Sequence, residues 1–214
     1  ARASPPDPPP ARPMPTDVRF PMTLSRHIYA TACNNAWANH RLLTACMRLS
    51  PGAFTAARTG FFPSIAATLN HVLTVDAYYV DALESWQQHR EANRDPSPFF
   101  ASGVPHPDAA ALHAAQRACD DRLIAVCAAL DDARLAEHVP VMRRAGLEPE
   151  RADRLLGHLF QHQIHHRGQA HAMLAGTDVA PPQLDEFWCA NEAHLRAAEL
   201  REIGLSEEEI WHER

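Results

Sequence analysis

Five histidines fall within the sixteen residues His158 to Met173, in the run HLFQHQIHHRGQAHAM. At about 100° of rotation per residue, a helix through this run puts Leu155 and Met173 on one meridian. His162 and His166 then lie within about 20° on either side of that meridian. Leu156, Leu159, Ala170 and Leu174 extend the apolar stripe to one side. Two imidazoles, one turn apart, therefore point at or beside a core. Burying them costs free energy unless their ring nitrogens are paired or ligated. Neutral imidazole is a common metal ligand, and the i, i+4 spacing lets two rings converge on one ion. A pair of core histidines hydrogen-bonded across a helix bundle satisfies the same pattern, so the spacing alone leaves both readings open. His158 and Gln169 lie on the shoulder of the stripe, His165 further out, and His171 on the opposite face.

Competing chemistries are checked against their motifs. There is no HExxH, so a zincin protease is excluded. A di-iron carboxylate bundle requires two Glu-x-x-His motifs with two further glutamates. The chain offers one such match, Glu209 to His212, at its C-terminus. Neither a glycine-rich phosphate loop nor a G-x-S-x-G elbow occurs.

The elements that must position these histidines are helical. Residues 1–21 hold eight of the eighteen prolines and too few apolar residues for a core, so a disordered, extended head is expected. Residues 23–49 carry Leu24, Ile28, Ala32, Leu42, Leu43, Cys46 and Leu49 near helical spacing, and Pro51-Gly52 ends the run. A second helix is predicted from Pro63, taken as a first-turn residue, to about residue 92, with Ile65, Leu69, Val72, Tyr79 and Leu83 inward. A proline-broken loop over 94–107 leads to a third helix, Asp108 to Leu130, with Leu112, Cys119, Leu123, Cys127 and Leu130 as its stripe. Residues 136–148 read as a short hairpin or a loop. The histidine-bearing helix runs from Arg151 to Leu174 with Gly176 as its stop, and a last helix is expected over 183–202. Ser206 to Glu209 form a capping-box pattern for a tail helix.

The chain has 214 residues and a net charge of −6, so a phosphate-reading surface is disfavoured and no nucleic-acid partner is expected. No apolar run approaches membrane-spanning length, and none resembles a signal peptide. Five cysteines without a CxxC pair fit a reducing, cytoplasmic setting, as small buried apolar residues.

The run from His162 to Gln169 resembles the HxxxHRGQ signature of the DinB/YfiT-like superfamily, the damage-inducible metal-binding bundles and not the DNA polymerase of similar name. Asn35-Ala36-Trp37-Ala38-Asn39 with Leu42-Leu43 resembles the family's first-helix N-x-W-A-N pattern. Leu69-Asn70-His71-Val72 with Asp76 resembles its second-helix segment, and Pro181 to Asp185 its final one. The likeness covers roughly residues 22–190. It implies a commonly dimeric four-helix bundle with one divalent metal held by His71, His162 and His166. His71 lies on the flank of its own helix's stripe, so its place in the set comes from the resemblance. Three imidazoles on a tetrahedral ion leave an open position, the catalytic type of site. Some members of the superfamily use a low-molecular-weight thiol such as mycothiol, bacillithiol or glutathione.

The expectation is thus an all-α protein. It has a head over 1–21, a DinB-like four-helix bundle with an extra C-terminal helix over 22–203, and a tail helix over 204–214. One divalent ion per chain is expected, zinc or nickel foremost, with iron, copper or manganese also compatible with the site. A homodimer acting on a small-molecule substrate as a thiol-dependent transferase or hydrolase is the favoured function, and a noncatalytic metal-binding or stress-response protein the alternative. His158 and Gln169 are candidates for hydrogen bonds that orient the ligands. Arg167 is a candidate for steering an anion, although its direction, about 100° from His166, favours a structural role.

Overall fold

A computed structural model describes residues 22–211, and the proline-rich segment 1–21 and the last three residues of the expected tail helix, 212–214, lie outside them. Four long helices make the body: α1 Leu24–Cys46, α2 Ile65–Gln87, α4 Ala109–Ala128 and α6 Ala152–Leu174. Short helices α3 Ser97–Phe100 and α5 Asp132–Leu135 interrupt the connections. Strands β1 His138–Arg143 and β2 Gly146–Arg151 form the antiparallel hairpin that the sequence left undecided, with Arg143 opposite Gly146 at its turn. Gly146 has φ 122°, a backbone that only glycine adopts without strain. After α6 come two single 3-10 turns, then α7 Ala193–Glu202 and α8 Glu207–Trp211.

The helices start where polar caps are available. Thr23, Ser64 and Asp108 each accept a backbone N–H from the first turn, of Arg26, Ala67 and Ala111. The second helix accordingly begins after Ser64, and Pro63 precedes the cap instead of occupying the first turn. The sequence stripes are buried at Ile65, Leu69, Val72, Tyr79 and Leu83 and at all five positions named for the third helix, which ends at Ala128 so that Leu130 lies just beyond it. Leu24 is the exception on α1, exposed at the helix start. Gly176 does not take a left-handed conformation: α6 ends in an ordinary right-handed turn at Ala175, whose N–H bonds His171 O.

The helix expected over 183–202 begins ten residues late, at Ala193. Arg196 explains the broken segment before it. Its guanidinium, 1% exposed, donates to the carbonyls of Glu186 at 2.6 Å and Cys189 at 3.1 Å. Those carbonyls are thereby satisfied without helical partners. Phe187, in the first 3-10 turn, is then free to bury its ring against Trp37 at 5.8 Å. Ser206 caps the tail helix: Glu209 N–H donates to Ser206 Oγ, and the Ser206 hydroxyl donates to Glu209 Oε2 at 3.0 Å, so the carboxylate takes the hydroxyl and not the backbone N–H of the expected capping box. Ile210 of that helix is fully buried in a small second core with Tyr29, Trp37, Phe187 and Leu200.

Around the bundle, α1 packs on α4 and α6, and α2 packs on the same two. The consecutive helices α1 and α2 are therefore diagonal, and the connection over 47–64 has to cross an end of the bundle. This crossing brings loop residues over α6 that no helical periodicity could have placed there. No helix among the described residues is long and apolar enough to cross a membrane.

Candidate metal centre

α2 and α6 pack side by side, and this contact joins His71 to His162 and His166. One nitrogen from each ring lies within 4.8 Å of the other two. His71 Nε2 and His162 Nε2 face each other at 3.0 Å. The ring centroids are 4.9, 4.7 and 4.5 Å apart for the pairs 71–162, 71–166 and 162–166. Among the described residues this is the one group of three metal-capable side chains that converges. His71 and His162 are half-buried and reachable from solvent, whereas His166 is buried.

Burial lowers the basicity of all three rings, and their positive forms would repel one another. His162 is held down to about 3 by burial and then by the neighbouring histidines, while His71 and His166 are lowered by burial first. At neutral pH each ring is uncharged and keeps a lone pair. His166 Nδ1–H donates to Gln169 Oε1 at 2.9 Å, and Gln169 Nε2 donates to His165 Nε2 at 3.1 Å. The amide of Gln169 thus fixes the tautomer of His166 and leaves its Nε2 as the lone-pair nitrogen. His162 Nδ1 is buried with no hydrogen-bond partner.

The donor set fits a divalent cation. Two imidazole nitrogens each about 2.0–2.1 Å from one ion sit about 3 Å apart, and three neutral imidazole nitrogens suit a divalent transition-metal ion such as zinc, nickel, copper or iron. Two facing lone pairs repel unless a proton or a cation lies between them, and a single proton would leave the third ring without a role.

The crossing loop closes one side. Phe62 tilts over His71 with centroids 4.5 Å apart and lies 5.5 Å from His166. Phe61, 78% exposed, flanks His166 at 6.2 Å. Sequence periodicity carries no signal for these two residues, because a loop's destination is set by where its flanking helices pack.

Behind the cluster lies a buried polar circuit that touches all four bundle helices. Arg167 Nη1 donates to Asn35 Oδ1, Asn39 Oδ1 and Gln163 Oε1. Gln163 Nε2 in turn donates to Asp76 Oδ2. Gln116 Nε2 bridges Asp76 at 3.0 Å and Asp120 at 3.1 Å, and Asn39 Nδ2 reaches both Asp120 oxygens. Burial pushes Asp120 up to about 7, opposed by the hydrogen bonds from Gln116 and Asn39 and by the charge of Arg167. Asp76 is raised well above the usual carboxylate range by burial and then by Asp120, while burial lowers Arg167 to about 10. One cation faces two carboxylates, and the pair retains a proton near neutrality.

The orienting candidates separate accordingly. Gln169 contacts the cluster directly. Arg167 belongs to the buried circuit and makes its bonds away from the three rings. His158 is exposed, edge-on to Tyr79 at 5.6 Å, with its ring centroid 6.3 Å from that of His162 and no hydrogen bond to it. His171, on the far face, binds Pro182 O at 2.9 Å. Elsewhere His40 Nδ1 meets His113 Nε2 at 3.0 Å while its Nε2 meets Glu202, which is a pair and not a three-ligand set. All five cysteines are free, four of them buried.

A sequence model described as the DinB family matches residues 23–202, which include all four bundle helices and the three converging histidines. No curated protein is similar enough to match the chain.

Proposed function

The chain belongs to the DinB family, and from that premise we propose that it is a metal-dependent enzyme for a small molecule, with one divalent cation held by His71, His162 and His166. The observation that carries this reading is the convergence of three uncharged imidazoles on a half-exposed spot between α2 and α6. A cation bound there supplies Lewis acidity and lowers the pKa of a bound water or thiol.

The protein's own groups have definable tasks. The three rings present lone pairs, and Gln169 holds His166 in the tautomer that does so. Phe62 shields one flank of His71 and His166. The half-exposure of His71 and His162 leaves an approach for a substrate. That opening favours an enzyme over a noncatalytic metal carrier, which would gain from a sealed ligand set. A thiol-dependent transfer and a hydrolysis are the two reaction classes that three histidines with an open position support.

The deciding experiment loads the protein with Co(II) and titrates glutathione, bacillithiol and mycothiol in turn, with His71→Ala as the control. A sulfur-to-metal charge-transfer band for one thiol, lost in the control, supports the thiol transferase and names its cosubstrate. Azide binding without any thiol band favours hydrolysis. No binding of either overturns the open site, and the noncatalytic reading then stands.

A further inference from the structure

One helical turn beyond the histidines, between the crossing loop and the end of α6, the surface dips into an open groove of about 540 Å³. Residues 57–60 form one wall, and Gln169, Ala172, Met173 and Gly176 form the other. The size is that of a small-molecule site. Gly60 packs against the flexible end of Met173, whose Cε a Cβ at residue 60 would meet at 2.2 Å and displace. Gln169 is shared with the cluster, since the same side chain lines the groove and bonds His166.

The lining holds one charge, Arg58, against methyl, methylene, thioether and amide groups and the Thr59 hydroxyl, and no carboxylate. Arg58 Nη2 donates to Ala53 O at 3.0 Å, Nε is buried with no partner, and no carboxylate among the described residues pairs with the guanidinium. Arg58 is half-buried, and of its five N–H donors one is taken by Ala53 O, so the solvent-facing edge of the guanidinium keeps donors for an anion. Arg58 is not needed to cap α6, because the N–H groups of Ala175, Gly176 and Thr177 already take the carbonyls of His171, Met173 and Leu174. We propose that this groove binds a small carboxylate with an apolar body, its charge held by Arg58 and its chain lying along Ala172 and Met173. The groove and Arg58 are present whether or not a cation binds the histidines, so the proposal stands apart from the metal reading.

The test uses the full chain, isotope-labelled, with sodium hexanoate as the probe and hexanamide as its neutral counterpart. Hexanoate is expected to shift the backbone amides of Gly60 and Gly176 and the side-chain amide of Gln169, and hexanamide to bind far more weakly. Arg58→Ala should weaken hexanoate by about tenfold or more, the loss of a charge-assisted hydrogen bond, and Arg58→Lys by less. Because Arg58 also braces Ala53, Ala172→Trp serves as a second variant: it fills the groove from an exposed position and should abolish the shifts at an unchanged melting midpoint. The His162→Ala/His166→Ala double variant should still bind hexanoate, which separates this site from the metal centre. Equal binding of acid and amide overturns the proposal. So does indifference to both Arg58→Ala and Ala172→Trp, or the absence of any shift at tens of millimolar.

Discussion

Arg167 Nη1 donates to Asn39 Oδ1 at 3.0 Å across the interface of α6 and α1, joining the two most distinctive sequence segments of the chain. Asn39 closes the N-x-W-A-N run, and Arg167 follows directly on His166. The bond secures a flank of α6 about 100° round from His166, so the helix that carries two of the three histidines is held in rotation by a group that touches none of them.

Elemental analysis should find close to one divalent ion per chain. His162→Ala/His166→Ala should lose it, and His71→Ala should lose most of it. His165→Ala and His171→Ala should retain it, since those rings bind Gln169 and Pro182. Equal loss in all variants would refute the ligand set.

Gln169→Ala should weaken metal binding by about 10–100-fold, the usual cost of removing the group that orients a ligand histidine. Gln169→Glu keeps an acceptor for His166 Nδ1–H and should recover most of it. Competition with a chromogenic chelator measures both, and an unchanged affinity in Gln169→Ala would show that His166 is positioned by packing alone.

Asp120 sets a pH dependence of stability. Its folded-state pKa, about 7, lies above the ordinary value of 3.8, so the folded protein binds the extra proton. The stability this confers is complete below about pH 3.8 and is lost as pH rises through 7. From pH 6 to 8 the wild type should lose on the order of 1 kcal/mol from this group. Asp120→Asn should be less stable than wild type at pH 6, having set an amide against Asn39 Nδ2, and should lack that alkaline decline. Urea unfolding at the two pH values gives the comparison; parallel curves for both proteins would contradict it.

Arg196→Ala should cost about 1–3 kcal/mol, because it removes the hydrogen bonds of the buried guanidinium to Glu207 and to two carbonyls and leaves those partly exposed partners to solvent. Phe187 and α8 should loosen, giving a red-shifted tryptophan emission from Trp188 and Trp211. Metal content should be unchanged, since the histidines sit on α2 and α6. Loss of metal in this variant would mean that the C-terminal segment supports the site.

The four long helices were legible in the sequence because their stripes repeat at helical spacing for about five or more turns each, and because Thr23, Ser64 and Asp108 are side chains that cap. The directions of His162 and His166 were legible for the same reason: rotation along one helix is a local property. Less was available beyond α6. The 3-10 turns at 186–192 arise from Arg196 reaching back to two carbonyls, a contact that periodicity does not encode.

Local sequence thus accounts for which residues face inward on each helix, since 3.6 residues per turn is a property of the backbone alone. Which helices become neighbours is a different matter. Only the packing of α2 against α6 puts His71 within reach of His162, 91 positions away. Only the diagonal placement of α1 and α2 carries Arg58, Phe61 and Phe62 over α6. The same packing drives Asp76 and Asp120 into one dry circuit with Arg167, where desolvation, absent in any isolated helix, raises both carboxyls.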